Sequence, residues 1–131
     1  MISDLVPIRI ILPLVAVLVA LPAVADETFE SCLRSAGAAE SNCGKEWVGR
    51  AQARLDAAWL QLIDVAGDTA IVKALTDEQR AWEAFRDLSC SFQLDEGFGG
   101  ADGPTGFHAC RAEVIADRAA AIEAYVKYID N

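Results

Sequence analysis

The chain has 131 residues, of which 53 % are hydrophobic, and its 20 acidic and 11 basic side chains give a formal net charge of −9. One domain fits this length and two do not. Nucleic acid and anionic membrane surfaces are disfavoured as partners, because both attract a basic face. A basic protein or a cationic ligand is compatible with the charge. Three tryptophans and regularly spaced aliphatic residues argue against intrinsic disorder.

Residues 1–25 are predicted to be a cleavable export signal. Arg9 gives a weakly basic start, residues 10–21 form an uncharged apolar run, and Ala23 and Ala25 supply the small-x-small pattern of a cleavage site. An uncleaved membrane anchor is the alternative, but the run is short and interrupted by proline. No cysteine sits at the cleavage point, which argues against a lipoprotein. We therefore expect a periplasmic or secreted domain of residues 26–131 without stable membrane insertion.

Four cysteines lie after the predicted leader: Cys32, Cys43, Cys90 and Cys110. An even number in an exported protein predicts two disulfides, for which three pairings are formally possible. Sequential pairing, Cys32 with Cys43 and Cys90 with Cys110, closes two short loops and is the pairing we predict. Each bridge is expected to contribute roughly 3 kcal/mol by restricting the unfolded chain. A zinc site is the alternative, but the spacing contains no paired CxxC or HxxxH element.

The chain after the leader shows helical periodicity throughout, and no stretch alternates with period two. A first short helix is predicted around Phe29, ending before Gly37. From residue 45 to 66, apolar residues recur at three- and four-residue steps, which predicts a long helix with one core-facing stripe. Gly67 is expected to cap this helix, and a short segment over residues 68–75 follows.

A capping-box pattern, TDEQ, predicts a helix start with Thr76 as N-cap and Gln79 three residues later. This helix is expected to run to about Phe92. The side chains that it should bury are Trp82, Phe85 and Leu88.

Residues 95–106 contain five glycines and one proline, and we expect no regular element there. The last helix is predicted over residues 107–129. Its apolar side is formed by Cys110, Val114, Ile122, Tyr125, Val126 and Ile129. Together these elements predict an all-α fold, a small bundle of about four helices stapled by two disulfides.

Arg118 falls in the middle of the apolar arc of the last helix, and Arg86 lies beside Trp82 on the preceding one. The functional interpretation is a pair of ligand-binding arginines. The structural interpretation, which we favour, is that both bond buried acids or helix-end carbonyls while their stems pack on aromatic rings. Replacing Arg118 by alanine is then expected to cost roughly 2–4 kcal/mol of stability.

No enzyme chemistry is predicted. His108 is the only histidine, and no hydroxyl residue lies in a nucleophile-elbow sequence. Asp95, Glu96 and Asp102 lack the alternating spacing and distal glutamate of a calcium loop. The glycine-rich segment lacks the lysine of a phosphate-binding loop. We therefore predict no catalytic residue, no metal and no cofactor.

The run QRAWEAFRDLSC, residues 79–90, resembles the central motif of the LprI-like family, small secreted proteins related to the N-terminal domain of a lysozyme inhibitor. The family pattern continues with a glycine-containing loop, a second cysteine and an arginine in the last helix. Upstream it has a first cysteine pair, and its D-x-x-L-N-x-x-Y pattern is altered here. The matching residues of this chain are Gln79, Trp82, Arg86, Cys90, Cys110 and Arg118, with Cys32 and Cys43 upstream.

The resemblance implies inhibition of a lysozyme, with a basic lysozyme as the expected partner. The alternative is a periplasmic partner-binding or structural module with another target. If the protein is an inhibitor, residues 95–106 are the expected contact surface, because no core dictates their identity and a disulfide pins them. The side chains we expect to make contact are Asp95, Glu96, Phe98 and Asp102. A solvated linker between two helices is the alternative interpretation of this segment.

Overall fold

The computed structural model describes residues 26–35, 40–98, 100 and 106–131. Its four α-helices are α1 (Glu27–Arg34), α2 (Glu40–Ala66), α3 (Thr69–Leu88) and α4 (Phe107–Ile129), with two 3₁₀ turns, Ser91–Leu94 and Glu96–Phe98. No strand occurs in these ranges, and both sequential disulfides are present. The predicted all-α fold with about four helices and two disulfides is confirmed. The predicted leader, residues 1–25, lies outside the described residues.

The core lies between α2 and α4, which pack along their apolar stripes. Its buried residues are Ala51, Leu55, Ala58, Leu62, Ile115, Ala119, Ile122 and Val126. Three of these eight residues are alanines, and at one end of the pair Gly44 of α2 lies against His108 of α4. A Cβ atom at Gly44 would lie 2.7 Å from the Cβ of His108, so a larger residue would push the helices apart. The buried stripe of α4 centres on Ile115 and Ala119. Tyr125, which was predicted to lie on the apolar side of this helix, is exposed.

Helix α1 covers the same end of the α2–α4 pair. Phe29 stacks on Trp47 with ring centroids 4.7 Å apart, and the Cys32–Cys43 disulfide ties α1 to α2. Asp26 caps α1 by accepting hydrogen bonds from the backbone of the first turn, and it also accepts from Arg50 at 3.1 Å. Partial burial raises the pKa of Asp26, but these hydrogen bonds outweigh it and hold the pKa below 3.8.

Helix α3 is one continuous element, so the prediction of a short segment followed by a second helix start at Thr76 is wrong. Gly67, with φ +53°, ends α2, and Asp68 caps α3 by accepting from the backbone N–H groups of Ala70 and Ile71. Thr76 lies inside the helix, and its hydroxyl donates to the Val72 carbonyl at 2.8 Å. A threonine in this position satisfies its hydroxyl within the preceding turn and does not interrupt the helix.

The predicted burial along α3 is also wrong for two of its three residues. Trp82 is half-buried and packs on the α2–α4 core, but Phe85 is 57 % and Leu88 76 % exposed. The helix ends at Leu88, before the expected Phe92. Amphipathic spacing shows that these residues share a face of α3, but it does not show whether another helix covers that face. Among the described helices, none covers it at Phe85 and Leu88.

Candidate functional site

The segment after α3 is turned back toward α4 at Cys90. This residue has φ +68°, in the left-handed region that non-glycine residues rarely adopt, and its disulfide to Cys110 fixes the position. The Phe107 N–H donates to the Gly100 carbonyl at 3.1 Å, which is a second link between this segment and the first residue of α4. The described residues between α3 and α4 are therefore joined to α4 at two points, Cys90 and Gly100.

Asp95 organises the tip of the segment. Its carboxylate accepts from the Gly97 N–H at 2.8 Å, and its carbonyl accepts from the N–H groups of Phe98 and Gly100. These bonds form the 3₁₀ turn Glu96–Phe98, so the prediction that residues 95–106 contain no regular element is wrong. An aspartate that bonds its own backbone two residues later is a common way to start such a turn.

The two turns expose three large apolar side chains and two acidic ones. Phe92 and Phe98 meet edge to face with ring centroids 5.9 Å apart, yet their exposed fractions are 60 % and 64 %. Leu94 is exposed beside them in sequence, and so are the carboxylates of Asp95 and Glu96. We call Phe92, Leu94, Asp95, Glu96 and Phe98 the ring face.

Three of the four residues predicted to make contact lie on this face: Asp95, Glu96 and Phe98. Asp102 lies outside the described residues. Sequence reasoning missed Phe92, because it was assigned to the end of a helix. The ring contact shows that Phe98 is one half of an aromatic pair and does not stand alone among glycines.

The middle of α3 is joined to α4 by a polar cluster centred on Arg118. The Arg118 side chain is only 8 % exposed. It donates to Gln79 Oε1 at 3.0 Å and to Glu78 Oε1 at 2.6 Å, and it lies 5.8 Å from the centroid of Trp82. Within the part of the chain that the structure describes, its Nη2 atom has no hydrogen-bond partner. The geometry fits the predicted structural role of Gln79, Trp82 and Arg118, which stays a prediction.

Arg86 lies in a second, more exposed cluster at the end of α3. It lies over Trp82 at 5.5 Å and donates to the neighbouring Asp87 at 3.0 Å. Arg111 of α4 donates to the same carboxylate at 3.1 Å and lies over Phe107. Sequence reasoning missed Arg111, which adds an ionic contact between α3 and α4 one residue after Cys110.

The described ranges contain no group of three or more histidine, cysteine, aspartate or glutamate residues that could hold a metal ion. None of the described helices is both long and apolar enough to cross a membrane.

Comparison with known proteins gives one match. The model of a family described as "Lysozyme inhibitor LprI" matches residues 32–122. The matched segment begins at the first cysteine, includes the ring face and Arg118, and ends in the core stripe of α4. No curated protein and no solved structure matches.

Proposed function

Because the chain belongs to the LprI lysozyme inhibitor family, we propose that it inhibits a lysozyme by direct protein–protein contact through the ring face. The proposed form is the exported domain of residues 26–131, acting in the periplasm or outside the cell. Inhibition of this kind needs no covalent step and no cofactor, so no residue is assigned a catalytic role.

The exposed aromatic pair on a disulfide-closed segment carries the proposal. Aromatic side chains that become desolvated at the centre of an interface tend to dominate binding energy. Phe92 and Phe98 are exposed, touch each other and are held by Cys90–Cys110 and by the turn at Asp95. Because these contacts already hold Phe92 and Phe98, binding would lose little of their conformational entropy.

Charge supports a basic lysozyme as the partner. The chain carries a net charge of −9, and the exposed residues Asp95 and Glu96 lie between Phe92 and Phe98 in the sequence. Complementary charge raises the association rate and favours partners of the opposite sign. On such a lysozyme, a basic rim would contact Asp95 and Glu96, and the apolar cleft inside the rim would contact Phe92 and Phe98.

The first test is titration of the purified exported protein into assays of c-, g- and i-type lysozymes at low and high salt. We expect stoichiometric inhibition of at least one basic lysozyme, with a slower association at the higher salt concentration, because the attraction is screened. Absence of inhibition with all three types would discard the lysozyme proposal and favour an envelope module with another target.

A further inference from the structure

A second candidate site lies between the first half of α3 and the last turns of α4. A cleft of about 350 Å³ is lined by Ile71, Leu75, Glu78, Tyr125, Tyr128 and Ile129. Its volume is at the small end of ligand sites, and its lining is mostly apolar with a few polar groups, as such sites usually are. We propose that this cleft binds a small apolar organic cation, a function separate from lysozyme inhibition.

The apolar part of the site is open to solvent. Tyr128 is 86 % exposed, and Ile71 and Tyr125 are exposed as well. Leu75 and Ile129 pack on the α2–α4 core and form the floor. A ligand with an aromatic or alkyl body would cover this surface and remove apolar area from water.

The polar part of the site is the carboxylate of Glu78. Its Oε1 atom accepts from Arg118 Nη1 at 2.6 Å and from the Tyr125 hydroxyl at 3.2 Å. Both bonds use the same oxygen, and the side chain is only partly buried. Neither bond uses the other carboxylate oxygen, Oε2, which can therefore accept from a ligand.

Charge selects a cation over an anion. Ionised Glu78 only accepts hydrogen bonds, and its ion pair with Arg118 uses one of its two oxygens. The chain as a whole is strongly acidic, and the faces of Tyr125 and Tyr128 attract positive charge. Lys73 and Arg80 each lie two positions from a lining residue of α3, and both are paired with Asp77, at 2.6 Å and 3.7 Å. An ammonium group on an apolar body can donate to the Glu78 carboxylate and lie over a tyrosine ring at the same time.

The cleft is distinct from the ring face. Glu78 and Leu88 are ten residues apart on α3, which corresponds to about 15 Å along the helix axis. The ring face begins beyond Leu88, so a ligand in the cleft does not occupy the surface proposed for lysozyme. Success or failure of this proposal is therefore independent of the inhibition assays.

The test is a titration of the ¹⁵N-labelled exported protein with three probes that share one body. These are 2-phenylethylamine, the neutral 2-phenylethanol and the anionic 3-phenylpropionate. We expect the amine to shift the amide resonances of residues 71–78 and 125–129 saturably. We expect the alcohol to bind at least about fivefold more weakly than the amine, and we expect the anion not to bind.

Two variants and a matched control complete the experiment. Tyr128→Ala, at an exposed position, should weaken amine binding about threefold to fivefold without changing the melting temperature. Glu78→Gln keeps the acceptor for Arg118 and should reduce the preference for the amine over the alcohol. Leu60→Ala changes another exposed apolar residue, on α2, and should leave binding unchanged. No saturable shift with the amine, equal binding of all three probes, or an unaffected Tyr128→Ala variant would overturn the proposal.

Discussion

Helices α2 and α4 meet along two apolar stripes rich in alanine, whereas α3 is held beside them in a different way. Leu75 and Trp82 are its apolar contacts with the core. It also contacts α4 through the Arg118 cluster and the Arg111–Asp87 pair, and the Cys90–Cys110 disulfide follows its last turn. Large apolar side chains therefore stay exposed on α3 and in the turns that follow it.

Because of this difference, we expect stability and binding to depend on different parts of the molecule. Burial of apolar area is the dominant favourable term in folding, and it is concentrated between α2 and α4. The α3 side gains its fixed geometry from directional contacts, which leave apolar side chains available to another molecule. Changes in the α2–α4 pair should thus lower stability, and changes on the ring face should lower binding.

The largest effect is expected in the core. Leu62 is fully buried between α2 and α4, so Leu62→Ala should cost about 2–5 kcal/mol through lost burial and a cavity. Leu60, two residues away on the same helix but exposed, is the control, and Leu60→Ala should stay within about 0.5 kcal/mol. Urea denaturation measures both. Similar values for the two variants would contradict the proposed position of the core.

The two disulfides should have similar effects on stability and different effects on inhibition. Replacing either cysteine pair by serine should cost about 3 kcal/mol, since both bridges close short loops. Removing Cys90–Cys110 should also abolish inhibition at temperatures where the variant is folded, because the ring face loses its anchor. Removing Cys32–Cys43 should leave inhibition intact. If both variants inhibit equally well, the ring face is not the contact surface.

Arg118→Ala tests the attachment of α3. We expect a loss of about 2 kcal/mol, the low end of the sequence-based range, because the partly exposed Glu78 can turn to water when its partner is removed. Arg86→Ala, which removes a more exposed pair, should cost less than about 1 kcal/mol. Thermal and urea unfolding give both values. Wild-type stability combined with lost partner binding would make Arg118 a contact residue.

The smallest effect is a dependence of stability on pH. The hydrogen bonds from Arg54 hold the pKa of Glu123 below its usual 4.5, with Nη2 and Oε2 2.6 Å apart. Since the folded-state pKa is lowered, this pair stabilises α2 against α4 above pH 4.5, and the contribution disappears as the pH falls through the folded-state value. The pair is exposed, so we expect less than about 1 kcal/mol.

Glu123→Gln measures this contribution. The variant should be slightly less stable than the wild type near neutral pH, and the two proteins should converge in urea melts at a pH well below the folded-state pKa of Glu123. A difference that stays constant across this range would show that the ionised form of Glu123 contributes nothing.

Much of the fold could be predicted from the sequence because its signals are local. The three-to-four spacing over residues 45–66 indicated the stripe of α2, and an even number of cysteines with sequential spacing indicated the correct bridges. Thr76 misled because its side chain suits either a cap or a helix interior, and which one forms depends on the preceding turn.

The candidate site was less accessible to sequence reasoning. Phe85 and Leu88 share a helical face with Trp82, but periodicity does not show where the covering helices end. Phe92 was hidden by the overextended helix. Glu78 meets Arg118 across a separation of 40 residues, and nothing local indicates such a pairing.

The central claim is that the ring face makes the inhibitory contact, and inhibition by ring-face variants tests it most directly. Phe98→Ala, and the charge variant Asp95→Asn/Glu96→Gln/Asp102→Asn, would be compared with the wild type against the lysozyme that it inhibits. The Asp95→Asn change retains a side-chain acceptor for the turn, and Phe85→Ala provides an exposed aromatic control on α3.

We expect Phe98→Ala to weaken inhibition about 30-fold, the size of a binding hot spot. The charge variant should weaken it less and remove its salt dependence, both at unchanged melting temperature. Full inhibition by both ring-face variants would contradict the account and move the contact surface to the helices.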